Sequence, residues 1–130
     1  MPTDIRVRRR LIEQVVSGIA DEGMQRRAWF GIGSEESSPD EEFNQFFSDA
    51  AVDEFLARND TGLNEAQMKS GKRLVAMMRK LSDQTSSHMK PEDLIDDPRW
   101  QKIRKAAAEF SALLTARSAS RVAARRPIVS

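Results

Sequence analysis

The chain has 130 residues, 39% of them hydrophobic and 32% charged, and its 21 basic and 20 acidic residues leave a net charge of +1. This length suits one domain with a core of its own, and the net charge by itself identifies no partner. Cysteine is absent and His88 is the single histidine, which excludes disulfides, cysteine nucleophiles and multi-histidine metal sites within one chain.

Helical patterns begin at the start of the chain. Apolar residues at i, i+3, i+4 and i+7 predict a first helix from Thr3 or Asp4 to about Gly18 or Asp21. A second, short helix is predicted over 22–30, and the glycines and polar residues of 31–37 predict a turn and loop.

The next helix start lies at Ser38. Ser38 at the N-cap, Pro39 at the first helical position and Glu41 at the third form a capping box, and acids in the first turn suit the positive end of a helix. Phenylalanines at four-residue spacing then predict one continuous helix that runs to about Arg58.

Asn64 and Gln67 form a second capping box, which predicts another helix with a core face that ends at Leu81. Gly71 lies inside this helix, where glycine costs about 1 kcal/mol relative to alanine, and we expect it to mark close packing against a neighbour. Residues 82–90 are predicted to form a polar loop.

The last part of the chain predicts one helical turn over 91–95 and then a long helix that begins at Asp97 and Pro98. Its apolar stripe decays from about Ala116. The predicted fold is therefore all-α, a helical bundle of about four main helices with one or two short extra helices. We expect one helical domain over 1–118 and a basic tail over 119–130. Predicted core residues are Phe47, Phe55, Trp100, Phe110 and Leu114.

The residues that carry common enzyme chemistry are scarce, and we expect no catalytic site, no cofactor and no metal. His88 lies in a polar loop, and no nucleophile elbow, Walker loop or EF-hand spacing is present. The acids lie near helix starts, where capping accounts for them. Gly31 and Gly33 form a lone Gly-x-Gly, and the acids that follow would repel phosphate.

Charge is unevenly distributed along the chain. Residues 21–66 carry twelve acids and three arginines, net −9, whereas residues 101–130 carry seven basic residues and one acid, net +6. Such segregation creates local fields that steer partners. The alternative is that acidic and basic helices pack side by side and neutralise each other.

Arginines cluster near both ends of the chain. Those in the first helix lie where the helix dipole disfavours cations, and those near the C-terminus have the composition of a nucleic-acid-binding arm without interleaved aromatic residues. We interpret the N-terminal cluster first as a solvated helix face, with contacts to phosphate or to a nearby acidic surface as the alternatives. We interpret the C-terminal cluster first as a helix end whose cations complement the negative terminus, with nucleic-acid binding as the alternative. The residues are Arg6, Arg8, Arg9, Arg10, Arg117, Arg121, Arg125 and Arg126.

The stretch from Glu35 to Asp60 is strongly acidic and includes Arg58 as its single basic residue. On a continuous helix Asp49, Asp53 and Glu54 would lie opposite the phenylalanines and form an acidic outer face beside an acidic loop. Such a face is either solvated or docks a basic partner. Trp29 can anchor such an interface, although large aromatic residues are more often core. The candidate partner-binding residues include Trp29, Glu35 and Glu36.

Three segments resemble small helical bacterial immunity proteins of the colicin D immunity type: VSGIADEGMQRR over 16–27, FNQFFSDAAVDEF over 43–55 and LNEAQ over 63–67. The basic C-terminal helix departs from that pattern. The resemblance implies a protein that binds a cognate toxin and covers its active site with acidic side chains. The contact residues it implies are Glu41, Glu42, Asp49, Asp53 and Glu54.

The sequence therefore favours a non-enzymatic inhibitor with an acidic surface for a basic toxin or nuclease. The alternative is a small nucleic-acid-associated or phage-type assembly protein that uses its basic N- and C-terminal segments. No apolar run approaches the roughly 20 residues that span a bilayer, and we expect a cytoplasmic protein without membrane contact.

Overall fold

The structure, a computed structural model, describes the backbone of residues 3–32, 37–85 and 90–129 and the side chains of 4–32, 37–85 and 90–115. These residues form α-helices and one π-helical turn, and hold no β-strand, which confirms the all-α prediction. The elements are α1 (Thr3–Ala20), α2 (Glu22–Trp29), α3 (Pro39–Asn44), the π-turn (Gln45–Asp49), α4 (Val52–Ala57), α5 (Glu65–Gln84), α6 (Pro91–Leu94) and α7 (Pro98–Val129).

The three long helices pack with α7 between α1 and α5. Gln67, near the start of α5, donates from Nε2 to the carbonyl oxygen of Leu113 at 3.0 Å, and Arg9 of α1 donates to that of Leu114 at 3.3 Å. At the other end of α7, Trp100 lies beside Gln25, a few residues after α1 ends. Helices α1 and α5 therefore both run antiparallel to α7.

Gly71 marks a close approach between α5 and its neighbours, as predicted. A Cβ atom at this position would lie 2.9 Å from Leu56 Cδ1 and 2.9 Å from Phe110 Cζ. Real Cβ atoms do not come this close to another carbon, so α4, α5 and α7 can pack this tightly only because residue 71 has no side chain.

The predicted continuous helix over 39–58 is wrong. The segment begins at Pro39 as expected, with Ser38 Oγ accepting from the amide of Glu41 at 3.1 Å, but it passes through the π-turn and breaks at Ala51. Ala51 has φ 46° and ψ 55°, the left-handed conformation, before α4 begins. The fourth main helix of the predicted bundle is thus two short helices joined by an irregular turn.

The core is a single cluster centred on aromatic rings. Trp100, fully buried, packs on Trp29 with ring centroids 5.7 Å apart and on Phe43 at 5.8 Å. Of the predicted core residues, Phe47 is only partly buried. The four that the structure buries are Phe55, Trp100, Phe110 and Leu114.

Helices α5 and α7 both extend beyond the apolar stripes that predicted them. Helix α5 continues through Ser82 to Gln84, so the predicted loop over 82–90 begins later, and its residues 86–89 lie outside the described part. Helix α7 continues to Val129. Its side chains after Thr115, which include those of the predicted basic tail, also lie outside the described residues.

Candidate functional site

The π-turn rotates the second half of the 39–57 segment relative to the first. The amide of Ala50 donates to the carbonyl oxygen of Gln45 at 2.8 Å, an i to i+5 bond that inserts one extra residue into the turn. Ala51 follows in the left-handed conformation, which costs a non-glycine residue about 1–2 kcal/mol. Single π-helical turns and backbone strain both occur preferentially at functional sites.

A cleft of about 240 Å³ lies between this turn and helix α1. Its residues belong to two elements: Gln45 and Asp49 come from the π-turn, and α1 contributes Leu11, Gln14 and Val15. We call it the π-turn cleft. Val15 is buried, whereas Leu11 is 36% exposed, so an apolar surface remains accessible beside the polar side chains.

The polar side of the π-turn cleft carries carboxylates that can accept hydrogen bonds from a ligand. Asp49 is exposed, and no cation of the described residues forms an ion pair with it. Gln45 Nε2 donates to Glu41 Oε1 at 3.3 Å, which joins a second exposed carboxylate to the same turn. An exposed leucine beside unneutralised carboxylates suits a ligand with an apolar group and a cationic head.

Glu42 does not contribute to an exposed acidic face, contrary to the sequence-based interpretation. It is 3% exposed, accepts from Ser37 Oγ at 2.8 Å, and its Oε2 would lie 3.6 Å from a Cβ atom on Gly18. Burial raises the pKa of the Glu42 carboxyl above its ordinary value. The position faces α1 because residue 42 is adjacent to the apolar stripe of α3.

Asp53 faces a different neighbour from Asp49. Its Oδ2 accepts from Arg79 Nη2 of α5 at 2.8 Å, and the same guanidinium lies over the ring of Phe47, 5.8 Å from its centroid. Asp53 is therefore already neutralised within the chain, while Glu54 of the same helix is exposed. The break at Ala51 thus divides the predicted acidic face into an α1 side and an α5 side.

Trp29 is 7% exposed and packs against Trp100 with the two rings tilted by 41°, so its ring belongs to the core. It is not available as an exposed interface anchor. Its Nε1 has no hydrogen-bond partner among the described residues. The next residues are more accessible, with Phe30 42% and Ile32 69% exposed. Glu35 and Glu36, the remaining predicted partner-binding residues, lie outside the described residues.

The arginines of α1 separate into different environments. Arg6 and Arg10 are exposed, whereas Arg9 is held by Glu13 at 3.5 Å and by the carbonyl oxygen of Leu114. Arg8 is partly buried. The side chains of the four C-terminal arginines at positions 117, 121, 125 and 126 lie outside the described residues.

A polar cluster joins α2 to the start of α7, and sequence patterns did not predict it. The side chain of Gln25 is fully buried; it donates to the carbonyl oxygens of Gly18 and Ile19 at 2.8 Å each and accepts from Trp100 Nε1 at 3.1 Å. It thereby satisfies the carbonyl group of Ile19 at the end of α1 and adds a second hydrogen bond to that of Gly18, which also accepts from the amide of Asp21 at 3.3 Å. This cluster stabilises the corner where α1, α2 and α7 meet.

Arg104 extends the same cluster. Its guanidinium donates to Glu22 Oε1 at 2.6 Å and to the carbonyl oxygen of Ile95, and Glu22 also accepts from Arg26, which reaches Asp96 at 2.7 Å. The hydrogen bond from Arg26 and the charge of Arg104 lower the pKa of Glu22. Arg104 can be only 8% exposed because its charge is paired with that of Glu22. The two residues are far apart in the sequence, so no local pattern predicts this pairing.

Gln14 and Gln45, which line the π-turn cleft, were also missed. Each is a polar residue on an amphipathic helix, where solvation is the ordinary expectation. The signal that was available is Leu11, an apolar residue at the edge of the α1 stripe and 36% exposed in the structure.

Among the described residues, no group of three or more histidine, aspartate or glutamate side chains is arranged to hold a metal ion. The helices in this part of the chain include none that is both long enough and apolar enough to cross a bilayer. Comparison of the chain with protein-family models, curated proteins and solved structures finds no match.

Proposed function

We propose that this chain is a non-enzymatic binding protein that holds a basic, partly apolar segment of a partner protein in the π-turn cleft. The observation that carries the proposal is the placement of an unpaired, exposed carboxylate, Asp49, beside the accessible side chain of Leu11 in one cleft. A lysine or arginine of the partner would pair with the carboxylate while its aliphatic stem covers the leucine.

The acids of 41–54 differ in how accessible their charge is to such a partner. Asp49 and Glu41 are exposed on the π-turn side, and Glu54 is exposed on α4. Asp53 contributes less because Arg79 already pairs with it at 2.8 Å. Of the acids that the sequence predicted to contact a partner, those that face it are therefore Glu41, Asp49 and Glu54. Glu42 is buried and does not reach the partner.

The setting that best accounts for this surface is a bacterial immunity pair, in which a cytoplasmic inhibitor covers the active site of a basic toxin or nuclease. Enzymes that act on nucleic acid present basic surfaces to phosphates, and an acidic inhibitor can occupy them. The resemblance of segments 16–27 and 43–55 to immunity proteins of the colicin D immunity type supports this setting, and the second of these segments contributes Gln45 and Asp49 to the cleft.

The alternative function is nucleic-acid association through the basic ends. It is favoured by Arg6 and Arg10, which are exposed and form no ion pair with other described residues. Against it stands the acidic segment 21–66, net −9, which would repel phosphates.

A paired titration separates the two functions. The full chain is titrated with a basic peptide of about 15 residues, lysines with leucines at i, i+3, i+4 and i+7, and separately with mixed-sequence duplex DNA and single-stranded RNA. At about 0.15 M ionic strength we expect peptide binding and no sub-micromolar binding of nucleic acid. Sub-micromolar nucleic-acid binding that is lost on removal of residues 117–130, with no peptide binding, would support the alternative instead.

A further inference from the structure

A second cleft of opposite charge lies between the last turns of α5 and the first turns of α7. It has a volume of about 250 Å³ and an apolar floor, in which Leu81 and Ile103 are buried and Met77 is partly buried. Its rim is formed by Lys80, Arg99 and Lys102, with Gln84 beside them. We call it the α5–α7 groove. The described residues that line it include no acid and no aromatic residue.

The cations of the rim differ in how they are held. Arg99 donates to both carboxylate oxygens of Asp97, at 3.1 and 2.8 Å, and its Nη1 lies 3.4 Å from Gln84 Oε1 across the groove. This bonding fixes the guanidinium as a link between the two helices. Lys80 and Lys102 are exposed, and no carboxylate of the described residues pairs with them. The uncompensated charge of the groove is therefore that of two lysines on facing helices.

We propose that the α5–α7 groove binds an acidic, amphipathic segment of a partner protein. An apolar side chain of that segment would cover Met77, the partly buried residue of the floor, together with the aliphatic stems of Lys80 and Lys102, and its flanking carboxylates would pair with the two ammonium groups. Helix-in-groove binding of this kind uses apolar anchors at helical spacing, with charge setting the orientation.

The size and lining of the groove favour a peptide segment over a small molecule or a nucleic acid. A volume of about 250 Å³ lies below the usual 300–1,000 Å³ of small-molecule sites and suits one or two anchor side chains. Single-stranded nucleic acid is bound by aromatic platforms in a basic channel, and this floor is aliphatic. The groove is also independent of the π-turn cleft, since it lies on other helices and carries the opposite charge, so either surface can fail its test without the other.

The test uses the full chain and a fluorescent acidic peptide of about 15 residues, glutamates with leucines at i, i+3, i+4 and i+7. A second peptide carries serine in place of every leucine, and single-stranded DNA is the third ligand. We expect the leucine peptide to bind about tenfold or more tightly than the serine peptide. Equal binding of the two peptides, or no binding of the leucine peptide, would overturn the proposal because the apolar floor would then contribute nothing.

Two double variants make a matched pair. Lys80→Glu with Lys102→Glu reverses the two free charges of the groove, while Lys69→Glu with Lys105→Glu makes the same change at exposed positions of the same two helices outside it. We expect the first variant to weaken peptide binding by about tenfold or more and the second by less than about threefold, with both equally helical by circular dichroism. Equal losses of peptide affinity in the two variants would overturn the proposal, because the effect would then come from net charge and not from the groove. DNA binding that exceeds peptide binding and is lost in the first variant alone would assign the groove to nucleic acid.

Discussion

Residues 39–57 and helix α5 begin in the same way and continue differently. Ser38 Oγ accepts from the amide of Glu41 at 3.1 Å, and Asn64 Oδ1 accepts from that of Gln67 at 2.8 Å, so each segment begins at a capped helix start. Helix α5 then runs unbroken for 20 residues, whereas the other segment passes through a π-turn and breaks at Ala51. A capping signal fixes where a helix begins and says nothing about how far it continues.

The distribution of apolar residues decides how far each helix runs. At about 100° per residue, Leu74, Met78 and Leu81 fall on one face of α5, and all three are buried. In a straight helix from Pro39, Val52 would lie about 180° from Phe43 and would face solvent. Both are buried in the structure, because the extra residue of the π-turn and the left-handed Ala51 rotate α4 toward the core.

The free energies agree with this outcome. Burying a valine or leucine side chain contributes about 1.5–3 kcal/mol, and the break buries both Val52 and Leu56. The left-handed conformation of Ala51 costs about 1–2 kcal/mol. The rotation that buries α4 is therefore more favourable than a straight helix.

The largest expected effect comes from Leu56, which is 3% exposed in the broken arrangement. Leu56→Ala should lower the free energy of unfolding by about 2–5 kcal/mol, measured by urea denaturation, because it removes buried methyl groups and leaves a cavity against Gly71. A loss below about 0.5 kcal/mol is typical of surface positions and would instead support a straight helix with Leu56 at its outer side.

Gly71 tests the packing of α5 against both neighbours. Gly71→Ala should destabilise the protein by about 1–3 kcal/mol in spite of the better helix propensity of alanine, because its Cβ atom would overlap Leu56 and Phe110. Gly18→Ala is the control, since its Cβ atom would meet nothing closer than 3.6 Å and should gain up to about 1 kcal/mol. Similar unfolding midpoints for the two variants would mean that α5 does not approach α4 and α7 this closely.

Ala51 tests the break itself. Ala51→Gly relieves the left-handed strain and should leave the free energy of unfolding unchanged or raise it. Ala76→Gly, at an exposed position inside α5, should lower it by about 1 kcal/mol. Equal losses in the two variants, measured by denaturant titration, would show that Ala51 occupies an ordinary helical conformation.

Glu42 contributes a smaller, pH-dependent effect. Burial raises its pKa above the ordinary 4.5, so the folded state retains its proton to higher pH than the unfolded state does. The contribution of the Glu42 carboxyl to the free energy of unfolding is therefore fully present below pH 4.5, and it is lost as pH rises from 4.5 through the raised pKa. Glu42→Gln should raise Tm at pH 7 and have no such gain at pH 4. Glu41→Gln, at an exposed position, is the control, and its change in Tm should be the same at pH 7 and pH 4. A gain in Tm of Glu42→Gln that is equal at the two pH values would argue against a buried carboxyl.

The all-α class, the helix starts and the close packing at Gly71 were predictable from the sequence because caps and apolar spacing are local signals. The break at Ala51 was not, because it depends on whether Val52 finds a place in a core made by other helices. The buried pair of Gln25 and Trp100 was equally inaccessible, since it joins residues 75 positions apart. Among the acids, Asp49 and Asp53 look alike in the sequence, and only the fold pairs one of them with Arg79.

That last pair provides the most direct test of the proposed function. The basic leucine peptide is titrated into the full chain and into Asp49→Asn and Asp53→Asn variants, which remove one negative charge each. We expect Asp49→Asn to weaken binding about threefold or more, because its carboxylate is unpaired in the π-turn cleft, and Asp53→Asn to change it little, because Arg79 already neutralises that carboxylate. Equal effects of the two variants, or a larger effect of Asp53→Asn, would contradict the assignment of the partner site to the π-turn cleft.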